Sequence, residues 1–275
     1  MVNATGPWVE RFFAESGSPV SIRLRPNRGA HIIVSAERFP TSGGLAFPLP
    51  AGRLLFVIPW KERVVIGTTE SAFQGNLDCV AAQAEEVDFL LGLARRFFPE
   101  AALERRDVLA SFAGVRPLVN SGGGSLSRVS REHKIVVSPS GLISVAGGKF
   151  TTFRRMAEMV VDRVAEMLKE EGRRCGPCRT PELDLADTLP PPPDPSPTVE
   201  QVQQGIGREM AVTLADLLLR RSKSVFLTDD QGLSVAETVS KTMATELSWS
   251  ENQRQSQLQD YRREVAECFK RGDAL

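Results

Sequence analysis

The run Ser144-Val145-Ala146-Gly147-Gly148-Lys149-Phe150-Thr151-Thr152-Phe153-Arg154 constrains this chain more than any other segment. An apolar strand enters two glycines and a lysine, and an amphipathic helix is expected to begin directly behind them. Paired glycines permit a close backbone approach, and a helix start offers unpaired N–H groups and a positive dipole end. The junction reads as a seat for something anionic. Lys149 sharpens that reading, because a cation at a helix start is unfavourable unless an anion or an electron-rich ring compensates it. No G-x-G-x-x-G turn follows a strand anywhere in the sequence, so the usual dinucleotide phosphate cradle is missing from it.

Around this junction the pattern is mixed. A short helix is expected near Val9 to Ala14, and β signals dominate from about Ile22 to Thr69: Ala30 to Val34, Leu54 to Ile58, and Val64 to Thr68, with a hairpin turn at Pro59-Trp60-Lys61-Glu62. Val87, Leu90, Leu91, Ala94 and Phe98 recur at helical spacing until Pro99. A further strand is expected to end at Val115, before Arg116-Pro117. Gly122-Gly123-Gly124 reads as a loop, since no helix follows it. His133 to Val137 and Leu142 to Ala146 form a second hairpin about Ser138-Pro139-Ser140-Gly141. Behind Lys149, the stripe Phe153, Met156, Ala157, Val160, Val161, Val164 and Leu168 predicts a helix with one buried face. The prolines of Leu189 to Thr198 mark a semi-rigid spacer. Beyond it, capping boxes at Thr198 with Gln201 and Ser250 with Gln253 introduce helices, including Val212 to Arg221, Leu233 to Leu247 and Glu251 to Phe269.

Composition excludes several classes. With 275 residues, 41% hydrophobic and 25% charged, the chain buries one sizeable core and a smaller second unit. A formal net charge of +0 gives no electrostatic reason to expect nucleic acid. No apolar run approaches the roughly 20 residues of a membrane-spanning helix, so any membrane contact is expected to be peripheral. With no leader pattern, and four cysteines that make no disulfide framework, a cytoplasmic setting is the default. Met1-Val2-Asn3-Ala4-Thr5-Gly6-Pro7-Trp8 opens like a buried strand turning at Gly6-Pro7. The chain is therefore expected to start inside a domain.

The residues able to carry chemistry are few. Cys175-Gly176-Pro177-Cys178 copies a redox dithiol, but it follows a helix instead of starting one, and neither the other cysteines nor the two histidines complete a zinc set; no metal site is expected. His31 lies in an apolar strand, where a histidine is more often a hydrogen-bonded core residue, yet its titration near neutrality suits proton abstraction from an alcohol. Arg116 and Arg131 sit at strand ends, where ordinary surface cations and binding residues both collect.

Together these segments resemble the FAD-dependent glycerol-3-phosphate dehydrogenases. The motifs Asn3-Ala4-Thr5-Gly6-Pro7-Trp8, Gly29 to Val34, Phe56 to Trp60, Ile66-Gly67-Thr68-Thr69, Ala113 to Leu118, Ser130-Arg131-Glu132-His133, Ser138 to Leu142 and Gly147 to Thr152 occur in that family's order, and Glu209-Met210-Ala211 and Leu219-Arg220-Arg221 look like its helical tail. The resemblance implies oxidation of sn-glycerol 3-phosphate to dihydroxyacetone phosphate, with electrons passed to a membrane quinone or, in an oxidase branch, to dioxygen. By it, His31 is the base, Arg116, Arg131 and Lys149 lie near the substrate phosphate and flavin, and Thr5, Gly6, Gly147, Gly148, Lys149, Phe150, Thr151 and Thr152 contact FAD. The implied fold is a mixed α/β (α+β) one. Residues 1–14 and 137–172 are a partial FAD-binding domain, 15–136 an antiparallel-sheet substrate domain, 173–198 a proline-rich linker, and 199–275 an all-helical domain.

One departure stands out: the family's G-x-G-x-x-G strand-turn-helix precedes the segment with which this chain opens. The sequence therefore reads as truncated, relying on an upstream-encoded FAD-binding chain or a homodimer mate. Two rivals stand beside it, a non-catalytic remnant that keeps the fold and a superfamily relative that oxidises an amine.

Overall fold

The computed structural model describes residues 1–19, 21–39, 41–120, 132–183 and 194–275. Gly122 to Gly124, Arg131 and the proline run 190–193 lie outside the described residues. In chain order the elements are β1 (Val2–Asn3), α1 (Val9–Ser16), β2 (Leu24–Ser35), β3 (Leu45–Leu49), β4 (Arg53–Trp60), β5 (Arg63–Gly67), β6 (Ser71–Ala72), α2 (Ala84–Phe97), β7 (Val108–Val119), β8 (His133–Val137), β9 (Ile143–Gly147), α3 (Phe153–Glu170), α4 (Val199–Gly207), α5 (Ser224–Leu227), α6 (Leu233–Leu247) and α7 (Glu251–Cys268). The fold is mixed α/β, with an antiparallel sheet and a helical C-terminal region. Contacts divide the chain into two units: Met1–Arg28, Glu70–Leu77 and Val115–Pro190 form the first, and Gly29–Thr69, Asp78–Gly114 and Pro191–Leu275 form the second.

The first unit contains a three-stranded sheet in the order β1-β9-β8. The β8–β9 hairpin closes where the sequence predicts: the Ser138 amide donates to Leu142 O at 2.9 Å, the Ser138 hydroxyl accepts from the Leu142 amide at 3.1 Å, and Gly141 takes the left-handed φ of 79° that its turn position requires. Val9 and Phe13 of α1 bury against Ile22, Leu142 and Ala146. Helix α1 is tied to β2 through Glu10, whose carboxylate accepts the Leu24 amide at 2.6 Å.

Two expectations about this unit change. Strand β7 does not end at Val115 but runs on to Val119, carrying Arg116 and Pro117 inside it. Among the described residues β2 is the only strand paired with β7, and such an edge accommodates a proline that has no N–H to donate. The stripe on α3 is not a buried face: only Val160 is buried, while Phe153 is 59% and Val161 61% exposed. Among the described residues α3 packs on β9 and on the turn leading into it, and those contacts bury Val160 alone of the stripe.

In the second unit strands are ordered β3-β4-β5-β2, all antiparallel, with His31 opposite Gly67 in the β2–β5 register. The inward residues of these strands, among them Ile32, Val34, Leu55, Val57, Val64 and Ile66, pack on Val87, Leu90, Leu91 and Ala94 of α2. Alternation along the strands and 3.6-residue spacing along α2 bring these faces together. The Glu86 carboxylate serves two elements. One oxygen accepts the Gln83 amide at 3.2 Å and completes the α2 capping box, and the other accepts from Thr69 Oγ1 at 2.9 Å. Thr69 Oγ1 in turn accepts the amide of Ala30, next to His31, at 2.8 Å.

The helical tail has its own core around Val202, Leu214, Leu218, Val239, Met243, Leu258 and Tyr261. Both expected capping boxes form, at Thr198 with Gln201 and at Ser250 with Gln253. The segment Val212 to Arg221 is not an α-helix: Asp216 accepts the amides of Val212 and Thr213, and Asp216–Arg221 is a π-helical turn. Sequence sets the tail apart at 199–275, whereas contacts group it with β2 to β5 and α2. Buried Arg63 donates to Leu227 O at 2.8 Å and to Asp229 at 2.7 Å, and the Ser111 amide donates to Lys270 O at 2.8 Å. No helix among the described residues is long and apolar enough to cross a membrane.

The buried Ala30–Thr69–Glu86 relay makes a prediction. Thr69→Val, which keeps the shape and strips the hydroxyl, leaves a fully buried amide and a buried carboxylate short of a partner. It is expected to cost about 1–3 kcal/mol in denaturant unfolding with an unchanged slope, while Thr69→Ser keeps most of the stability.

Candidate functional site

The arrangement around Gly147 follows from one pairing. Strand β1 runs parallel to β9, with Val2 beside Ile143 and Asn3 beside Ser144. The turn that leaves β1 and the turn that leaves β9 therefore emerge side by side at the carboxyl ends of parallel strands, the position at which open α/β sheets bind ligands. Thr5 and Gly6 arrive from the first strand; Gly147, Gly148, Lys149, Phe150, Thr151 and Thr152 arrive from the second. Fully buried Asn3 fixes the first turn by accepting from Thr5 Oγ1 at 2.7 Å and donating to Val9 O at 3.4 Å.

The glycines turn out to differ in what they face. Gly147 and Gly148 take φ of 79° and 85°, and a Cβ on either would strike its own chain: Glu132 O at 2.6 Å from position 147, and Met156 Sδ at 2.4 Å from position 148. Their lack of a side chain thus serves the tight packing of β9 on β8 and α3. Gly6, with φ of 59°, has nothing within 4 Å of its missing side chain. Beside Gly6, in contrast to the Gly-Gly pair, the space is open. Behind Lys149 a single 3-10 turn, Phe150–Thr152, runs into α3, so the α-helix starts later than expected. Lys149 is the residue ahead of this turn, its side chain caps none of the turn's amides, and residues 149–152 are exposed. An open glycine turn, an uncapped helix start and an exposed ammonium fit an anionic, planar group such as a flavin.

Arg116 belongs to the same unit. From β7 its Nη1 donates to Oδ1 of fully buried Asn27 at 2.8 Å, and β7 reaches the Gly147 turn through Val119, whose Cγ2 lies 3.0 Å from a Cβ built at that glycine. Asn27 escaped the sequence analysis. Asn27 sits between Arg25-Pro26 and Arg28 in β2, and only pairing through the sheet brings Arg116 near it. His133 also joins this neighbourhood, opposite Gly147 in the β8–β9 register.

His31 lies in the second unit. Its ring stacks on Phe112 at 4.8 Å between centroids and 9° between planes. A Cβ at Gly67 would come within 2.2 Å of His31 Cδ2, so glycine at 67 is what allows the imidazole to lie across β5. Arg131 lies outside the described residues. Among the described residues no group of three or more His, Cys, Asp or Glu side chains could hold a metal ion.

Comparison with known proteins fits this geometry. The model of the FAD dependent oxidoreductase family matches residues 1–163. The chain belongs to that family. The C-terminal domain of alpha-glycerophosphate oxidase matches residues 159–254. Aerobic glycerol-3-phosphate dehydrogenase of Bacillus subtilis is 36% identical over 68% of this chain, which spans 34% of that protein. Glycerol-3-phosphate dehydrogenase of Synechocystis sp. is 29% identical over 95% of the chain, which spans 58% of that protein. The glycerol-3-phosphate dehydrogenase from Bacillus halodurans, solved in complex with FAD, aligns with a TM-score of 0.78 at 25% identity, covering 97% of this chain and 62% of its own. The chain thus spans less than two thirds of the length of each of these relatives.

The contrast between the glycines is testable. Gly148→Ala must hold an alanine at positive φ against Met156 and is expected to cost roughly 1–3 kcal/mol in thermal or urea unfolding. Gly6→Ala, with open space in front of it, is expected to cost about 1 kcal/mol, the backbone strain alone.

Proposed function

We propose that this chain carries the substrate side and the flavin-ring side of an FAD-dependent oxidation of sn-glycerol 3-phosphate to dihydroxyacetone phosphate. The observation that carries the reading is the pair of turns at the ends of parallel β1 and β9, which joins open Gly6 to an uncapped helix start bearing Lys149. The family match and the glycerophosphate-type tail support the same substrate.

Each residue has a role that its chemistry suits. Thr5, Gly6 and Gly147 to Thr152 hold FAD through backbone and short polar side chains, and Lys149 adds a positive charge where the ligand is negative. FAD, when bound, supplies the acceptor for the hydride leaving C2 of the substrate. Arg116 binds the substrate phosphate, since a guanidinium grips phosphate oxygens through two parallel donors, and Asn27 orients it by accepting at Nη1. Arg131 is assigned to the same phosphate. His31 takes the proton of the C2 hydroxyl, and its stacking on Phe112 holds the ring in one plane while it does so. Electrons then pass to a quinone at the cytoplasmic face of a membrane, which the protein touches peripherally.

The deciding experiment expresses the chain alone and together with the reading frame upstream of it, and measures bound FAD and glycerol 3-phosphate-dependent reduction of a quinone analogue. The expected result is substrate-dependent reduction in the preparation that holds flavin. Peroxide in place of reduced quinone would move the acceptor to dioxygen. A flavin-loaded preparation that ignores glycerol 3-phosphate would overturn the reading in favour of another substrate or of a polypeptide without catalysis.

Within an active preparation, His31→Gln is expected to lower kcat by about 100- to 10,000-fold, the usual worth of a general base. Arg116→Leu is expected to raise KM for glycerol 3-phosphate by roughly 10- to 100-fold, the loss of one charge-assisted contact. Lys149→Met is expected to slow flavin reduction in stopped-flow measurements.

A further inference from the structure

Cys79 and Cys268 are 189 positions apart in sequence, yet their sulfurs lie 2.7 Å from each other within the second unit. Both are free thiols and both are partly accessible. Cys79 sits in the segment that leads to the capped start of α2, and Cys268 is the last residue of α7.

The backbone on either side of the pair is pinned. After Cys268, Phe269 O accepts from the side chain of Gln231, and Lys270 O accepts both the amide and the hydroxyl of Ser111 at 2.8 Å. Before α2, the Gln83–Glu86 capping box fixes the chain four residues after Cys79. Once one of two sulfurs held this close by structure that exists for other reasons is oxidised, the other attacks it far faster than a free thiol would. Cys175 and Cys178, in contrast, sit in a segment where Cys175 is exposed and Cys178 contacts only the hydroxyl of Thr180 among the contacts described.

We propose that Cys79 and Cys268 form a reversible disulfide under mild oxidation, locking the end of α7 to the segment ahead of α2. The oxidant is a hydroperoxide. In the first step the Cys79 sulfur attacks a peroxide oxygen: an S–O bond forms, the O–O bond breaks, and the leaving oxygen takes up the proton given up by the Cys79 thiol and departs as water, or as an alcohol from an organic peroxide. In the second, the Cys268 sulfur attacks the sulfenic sulfur of Cys79: the S–S bond forms, the S–O bond breaks, and hydroxide leaves with the Cys268 proton as water. Two thiols lose two electrons, and one peroxide gains them. Burial, with Cys79 and the carboxylates of Glu264 and Glu267 nearby, pushes the Cys268 thiol up to about 12, and the Cys79 thiol lies 3.9 Å from the same Glu267 carboxylate.

The test treats the chain with hydrogen peroxide, alkylates it under denaturing conditions and maps the peptides. A Cys79–Cys268 linked peptide that dithiothreitol removes is expected, with the intact mass lower by two hydrogens in a Cys175→Ser/Cys178→Ser background. The oxidised form should melt roughly 5–10 °C higher, as closing so long a loop restricts the unfolded chain, and Cys268→Ser should abolish that rise. Recovery of Cys79 and Cys268 both alkylated, or both as sulfinic acids, would overturn the proposal. The mapping is done on the wild-type pair, so it stands even if a substituted chain folds poorly.

Discussion

Two backbone pairings, Val2 with Ile143 and Asn3 with Ser144, decide how the rest of the first unit is used. Because they are parallel, they send two separate turns off the same end of the sheet. An antiparallel arrangement would have sent one of them to the opposite end. Burying Asn3 completely makes the arrangement costly to undo: its carboxamide must be satisfied, and the partners that satisfy it, Thr5 and Val9, are those that shape the turn. The candidate flavin seat has the first of its two turns shaped by this buried amide. Its openness at Gly6 and its positive charge at Lys149 come from two different strands, and neither strand alone would make it.

What the sequence made legible was local. The β8–β9 hairpin, the capping boxes at Thr198 and Ser250, and the helical run of α2 all rest on residues within a few positions of each other, where turn and cap chemistry act. The misses rest on contacts over long separations. Nothing near Pro117 announces that β7 has an open edge to carry it, and nothing near Arg116 announces Asn27, 89 positions away. The π-helical turn over Asp216–Arg221 is something helical periodicity does not register, and Asp216 bonds back to the amides of Val212 and Thr213 ahead of it. At Gly147 and Gly148 the close approach that paired glycines permit is taken up by Glu132 and Met156 of the chain itself.

The second unit shows how a polar group can organise an apolar region. Glu86 is buried at the edge of a large aliphatic core and has two obligations, to the start of α2 and to Thr69. A hydrophobic residue there would pack, but it would leave the helix start uncapped and the Thr69 hydroxyl adrift. Through Thr69 the same carboxylate steadies the amide of Ala30, so the position of the neighbouring His31 is tied to the first turn of a helix far from it in sequence.

Four rings succeed one another in that unit: His31 on Phe112, Phe112 on Phe226 at 5.2 Å, and Phe226 on Phe269 at 5.5 Å. The imidazole lies flat on Phe112, with its edge over Gly67, so a shift of the residue that follows α7 would reach this side chain on β2 through three successive ring contacts.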